Sequence, residues 1–137
     1  MNKFEIPVIT IVSLVFVGCG SGESRMPTHA VRGKLTDGSK PVAHAQMVFH
    51  PVGWSAEVPK PRGKTDEKGE FTLTTYDGND GAPAGQYKVS VEQWKTVSVD
   101  AGPVNQLPAK FADPEKSGLT ATVTAGPTDL QPFVVKK

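Results

Sequence analysis

Thr65-Asp66-Glu67-Lys68-Gly69-Glu70-Phe71-Thr72-Leu73-Thr74-Thr75 is the stretch that decides the fold. Asp66-Glu67-Lys68-Gly69 spells a type I turn closed by glycine, the residue that takes a positive φ without steric cost. From Glu70 onward the chain alternates. Phe71, Leu73 and Thr75 fall on one face, the period-two pattern of a half-buried strand. On the other side of the turn, Pro59 to Thr65 reads as extended, and its prolines suit a sheet edge. The segment therefore predicts two strands joined as a β-hairpin.

The same grammar repeats outward in both directions. Val31-Arg32-Gly33-Lys34-Leu35 alternates and is closed by the turn Asp37-Gly38-Ser39-Lys40-Pro41. Ala45, Met47 and Phe49 share one face of the next run, which Pro51 ends. After a long loop over 77–85, Tyr87-Lys88-Val89-Ser90-Val91-Glu92 turns Tyr87, Val89 and Val91 inward. Val97-Ser98-Val99 extends or follows it. Leu119-Thr120-Ala121-Thr122-Val123 alternates again, and Pro132-Phe133-Val134-Val135 closes the series. No segment sustains a 3.6-residue period with caps. Glycine (14) and proline (12) are both abundant, as frequent turns require. The expectation is an all-β, seven-stranded, Ig-like β-sandwich. Its predicted core is Val31, Leu35, Val42, Met47, Phe49, Phe71, Leu73, Tyr87, Val89, Val91, Leu119, Ala121, Val123 and Phe133.

Ahead of the strands stands a segment of another kind. Lys3 precedes the apolar run from Ile6 to Val17, which Gly18 and Cys19 close. That run suits a signal h-region, and it is shorter than the roughly 20 apolar residues that span a bilayer. Cys19 is the single cysteine of the chain. A small residue before it and Gly20-Ser21-Gly22 after it resemble the lipobox of bacterial lipoproteins, with Phe16 where that pattern usually has leucine. The resemblance implies cleavage before Cys19, a lipidated cysteine and stable membrane anchoring by two or more acyl chains. Gly20, where an inner-membrane retention signal has aspartate, favours the outer membrane. The expected organisation is a signal peptide over 1–18, a lipidated cysteine and flexible tether over 19–28, and the sandwich over 29–137.

Several segments resemble carboxypeptidase-regulatory-like domains, which have the transthyretin-like (prealbumin-like) fold. Val31-Arg32-Gly33-Lys34-Leu35 followed by Lys40-Pro41-Val42-Ala43-His44-Ala45 is similar to their opening, with His44 where the pattern has glycine. Thr65 to Phe71 is similar to their T-D-x-x-G-x-F segment, and Ala82-Pro83-Ala84-Gly85-Gln86-Tyr87-Lys88-Val89 to their L-P-A-G-x-Y-x-V segment. Leu107-Pro108-Ala109-Lys110-Phe111-Ala112-Asp113-Pro114 resembles a set of small planctomycete lipoproteins. These are framework residues, so the resemblance speaks to fold more than to function.

Chemistry is sparse. The chain has no nucleophile elbow, zinc-protease motif, P-loop or dinucleotide fingerprint. Hydroxyisourate hydrolases of the transthyretin-like fold end in a Tyr-Arg-Gly-Ser-type tail, whereas this chain ends Phe133-Val134-Val135-Lys136-Lys137. The reading is therefore non-enzymatic, without cofactor, with a hydrolase using an unrecognised site as the remote alternative. A net charge of +1 without a basic block argues against nucleic acid. His29, His44 and His50 are too dispersed along the strands to share a metal. Asp77, Asn79 and Asp80 offer closely spaced oxygens for Ca²⁺, but the same residues are common turn formers. Trp54 and Trp94 are candidate ligand contacts, as sugar platforms or partner anchors, or else cover for a second apolar layer. Arg32, Lys34, Lys60, Arg62 and Lys64 form either a solvated face or a patch for acidic polysaccharide. The expected role is a membrane-anchored envelope module, interacting or structural, that contacts another envelope protein or the cell-surface matrix, the alternative being a polysaccharide-binding module that uses an exposed tryptophan.

Cys19→Ser is expected to abolish acyl labelling and leave the unprocessed precursor. The mass of the protein extracted from membranes checks this.

Overall fold

Ten β-strands and a single 3-10 turn build the described part of the chain. The computed structural model describes residues 25–55 and 58–137. The strands are β1 (Val31–Thr36), β2 (Gln46–Pro51), β3 (Arg62–Lys64), β4 (Glu70–Thr72), β5 (Gly85–Glu92), β6 (Trp94–Ser98), β7 (Gly102–Asn105), β8 (Leu119–Val123), β9 (Thr128–Asp129) and β10 (Phe133–Val134). In one sheet β1 is central, between antiparallel β4 and the two short parallel strands β9 and β10. The other sheet runs β3-β2-β5-β8, all antiparallel. β6 and β7 form a separate two-stranded sheet. The fold is an all-β sandwich. Its strand count exceeds the expected seven: the 97–99 run, expected to extend or follow the 87–92 strand, belongs to a hairpin of its own, and the short β7 and β9 show no alternation.

The sheets meet through aromatic rings. Phe49 of β2 lies 6.1 Å from Phe71 of β4, 6.0 Å from Tyr87 of β5 and 6.1 Å from Phe133 of β10, centroid to centroid. All the expected core residues are buried except Leu119, which is partly buried against the core. Ala45, Ala82, Leu107, Phe111 and Val135 join them. The Tyr87 hydroxyl donates to the Pro83 carbonyl at 2.6 Å, which satisfies a polar group inside the apolar cluster. Burial first, and the nearby Tyr76 second, push its pKa far above the ordinary tyrosine value.

The 65–70 turn differs from the hairpin expected of it. β3 pairs with β2, whereas β4 pairs with β1, so the turn is a corner between sheets. The two arms are tied directly by the bridge Arg62↔Thr74 and, at the turn, by the bond from Asp66 N–H to Glu70 O at 2.9 Å. The reason is local bonding. The backbone of Thr65 is taken by the 44–45 segment: Thr65 N–H donates to Ala45 O and His44 N–H donates to Thr65 O. The buried Thr65 hydroxyl donates to Val42 O at 2.7 Å and accepts from Ala45 N–H at 2.9 Å. On the other arm, Asp66 Oδ1 accepts from the backbone N–H of Lys68 and Glu70, and closes the turn. Gly69 has φ +74°, and a Cβ there would lie 2.4 Å from Leu35 O, so no other residue fits the corner.

His44 takes φ +56°. This is the left-handed region, which costs a side-chain-bearing residue about 1–2 kcal/mol. Its ring is exposed and gains nothing from burial. His44→Gly relieves that strain and gives back about 0.5–1 kcal/mol in unfolded-state entropy. A net gain of about 0.5 kcal/mol in urea unfolding is therefore expected, against a loss for His44→Val.

Candidate functional site

The sequence candidates fall at separate places. The two tryptophans lie beyond opposite ends of β5. Trp54 is half-buried and stacks edge-on against Tyr87 at 5.4 Å. A Cβ at Gly85 would lie 2.7 Å from its Cζ2, so glycine at the start of β5 is what admits the indole. Trp54 is thus partly spent on covering the core. Trp94 follows the other end of β5. It is 49% exposed, and its indole N–H donates to Glu92 Oε2 at 2.5 Å. With β5 eight residues long, the two indoles are about 25 Å or more apart at roughly 3.3 Å per residue. They cannot form one platform.

The 77–81 loop is built by hydrogen bonds within the chain. Asp80 Oδ1 accepts from Thr75 N–H at 2.7 Å, and Oδ2 accepts from Tyr76 N–H at 3.0 Å and Asp77 N–H at 3.3 Å. Asn79, at φ +59°, accepts the Thr72 hydroxyl at 2.9 Å on its Oδ1. Asp77 pairs with Arg25 at 3.0 Å across an exposed surface, a contact worth little in water. The oxygens of Asp77, Asn79 and Asp80 are thus turned to three different sets of donors. Among the described residues no group of three or more His, Cys, Asp or Glu side chains is placed to hold a metal ion.

The histidines are also dispersed. His29 Nδ1 accepts from Gly126 N–H at 3.1 Å, and His50 Nε2 lies 2.8 Å from the Ser90 hydroxyl. Burial first, and Lys60 second, lower the His50 pKa below its ordinary value. Cys19 lies outside the described residues.

Two features stand out whose residues the sequence named but whose assembly it did not show. The first is the β6–β7 hairpin. Every residue of β6 is exposed, and Val97 (67%), Val99 (98%) and Val104 (44%) stand out beside Trp94. Its root is fixed: Gln93 N–H donates to Asn105 Oδ1, Gln106 N–H to Gln93 O, and the buried Gln93 amide to Ala43 O. The second is a groove of about 550 Å³ between the outer face of β2–β3 and the 72–79 segment. The signal in the sequence was the alternation of Arg62 and Lys64 on an outward face; the return of Asn79 over them was not visible there.

The comparison with protein-family models finds no match, and neither does the comparison with curated proteins. Among solved structures, a 9R-lipoxygenase from Cyanothece PCC8801 is similar at 20% identity and a TM-score of 0.41. The similarity covers 80% of this chain, which spans 16% of the length of that one.

Asp80 sets a pH dependence. Burial raises its pKa, but the N–H groups of Thr75, Tyr76 and Asp77 outweigh burial and hold it below the ordinary 3.8. A depressed pKa stabilises the fold above the unfolded value, and the gain is lost as pH falls through the folded one. Thermal unfolding is expected to show wild-type stability falling from about pH 4 downward. Asp80→Asn should be less stable at neutral pH and have a flatter acid limb.

Proposed function

We propose that this chain is a lipid-anchored protein of the bacterial envelope, held at Cys19. Its carboxypeptidase-regulatory-like, transthyretin-like sandwich serves as a non-enzymatic contact module, and its partner is another envelope protein. The observation that carries this reading is the β6–β7 hairpin. It presents a tryptophan and three valines to solvent on a two-stranded arm. Exposed apolar residues grouped on one projecting element mark interaction surfaces more than scattered ones do. Its two free edges also offer unpaired backbone groups to a partner strand.

The placement of the hairpin supports the same reading. Arg25 and Met26 are held at the 76–77 loop: the Arg25 guanidinium lies 5.2 Å from the Tyr76 ring centroid, and Met26 N–H donates to the Tyr76 hydroxyl. His29 then pairs with Ala82, next to the start of β5. The hairpin leaves from the other end of β5. A domain tethered through residue 25 therefore carries its apolar arm at the pole away from the tether.

Cross-linking in intact cells through a photoreactive residue at position 97 tests the reading. One recurrent protein partner is expected, together with its loss in Val97→Asp/Val99→Asp. Melting temperature should be unchanged, because both side chains are exposed. Glycan adducts, or no partner, would overturn it.

A further inference from the structure

We propose a second binding surface, separate from the hairpin: the groove between β2–β3 and the 72–79 segment binds an anionic sugar unit of an acidic polysaccharide. Its lining includes Gln46, Arg62, Lys64, Thr72, Thr74 and Asn79, with no carboxylate among the lining residues. Its volume of about 550 Å³ falls in the range of small-molecule sites.

The polar groups are arranged as donors. Arg62 and Lys64 are outward neighbours on the same face of β3, about 6.6 Å apart along the strand. Neither is among the ion-paired residues of the described chain. Asn79 Oδ1 is spent on the hydroxyls of Thr72, at 2.9 Å, and Thr74, at 3.5 Å. Asn79 N–H in turn donates to the Thr74 hydroxyl at 2.9 Å. These bonds fix the Asn79 side chain and leave its NH₂ as the group it offers to a ligand. Glu92 shares the cross-strand row of Lys64 and Gln46 but is two strands from Lys64 and does not line the groove; one of its carboxylate oxygens accepts from the Trp94 indole.

The neighbouring groove shows what a non-selective charged surface looks like. Arg32, Lys34 and Lys64 there face Asp66, Glu70 and Asp129, so the two signs cancel. On the β2–β3 side Arg62 stands apart from those acids, and Lys64, on the rim of both grooves, adds its charge to it. An Arg fork suits a planar carboxylate or a sulfate, and the amides of Gln46 and Asn79 suit sugar hydroxyls. A flat anionic membrane would not use the concavity or the amides. A protein partner would be expected to find an exposed aromatic anchor, and the groove has none.

Binding of the full lipidated chain in detergent to immobilised polygalacturonate and dextran sulfate tests this, with neutral dextran and poly-glutamate as controls. Binding to at least one of the acidic glycans is expected, weaker at higher salt because exposed charges are screened. Arg62→Ala/Lys64→Ala should weaken it at least tenfold with unchanged melting temperature. Asn79→Asp, which turns a donor into an anion, should weaken it as well. Lys110→Ala, a basic residue elsewhere, should not. No binding to either glycan, equal binding by the double variant, or equal binding to poly-glutamate would each overturn the proposal. The hairpin variants leave this assay untouched, so its failure and that of the protein-partner reading are distinguishable.

Discussion

The contact of Phe49 with Phe71, Tyr87 and Phe133 is the constraint on which the rest depends. Phe49 and Tyr87 come from one sheet, Phe71 and Phe133 from the other, and the four rings lie within about 6 Å of their neighbours. With one cysteine and no disulfide within the chain, nothing covalent holds the two layers together. Apolar burial and ring geometry must do it. The neighbouring positions give way to the rings. A Cβ at Gly33 would lie 2.5 Å from Phe71 Cζ, and Trp54 reaches Tyr87 only over Gly85.

Around that core, polar side chains decide how the chain moves between layers. The Thr65 hydroxyl bridges Val42 and Ala45 in the interior, and Asp66 closes the corner one residue later. The pair converts what local pattern presents as a hairpin into a crossover. His44 sits strained beside it because its own N–H is committed to Thr65 O. A backbone requirement of the fold is thereby met by a residue poorly suited to it.

Alternation alone made the core legible, from Val31 to Phe133, because a face buried against a second layer leaves a strict period of two. It failed where that premise fails. Val97 and Val99 suggest a strand that extends or follows β5, yet the whole of β6 is exposed and among the described residues no layer covers it. Leu107 and Phe111 were missed for the opposite reason: they are buried from irregular and 3-10 backbone, where no period announces them. At the candidate sites, residue type was visible but assembly was not. Asp77, Asn79 and Asp80 are alike as oxygen donors in the sequence, but in the structure Asp77 faces Arg25, Asn79 accepts from Thr72, and Asp80 accepts from Thr75 and Tyr76 N–H. Arg62 and Lys64 look like a solvated face until Asn79 folds back beside them.

The route from Arg25 to the hairpin has a mechanical meaning. Arg25 leads into β1, the middle strand of one sheet, and the hairpin continues β5, an inner strand of the other. A pull applied between those two points runs along the strands. β5 is held by six registered pairs to β2 and five to β8, whose bonds lie across that direction. Loaded lengthwise, they share the force and must slip together, whereas a crosswise pull would unzip them in turn. On the function proposed above, the sandwich would bear tension in shear between a tether before Arg25 and a partner on the β6–β7 arm.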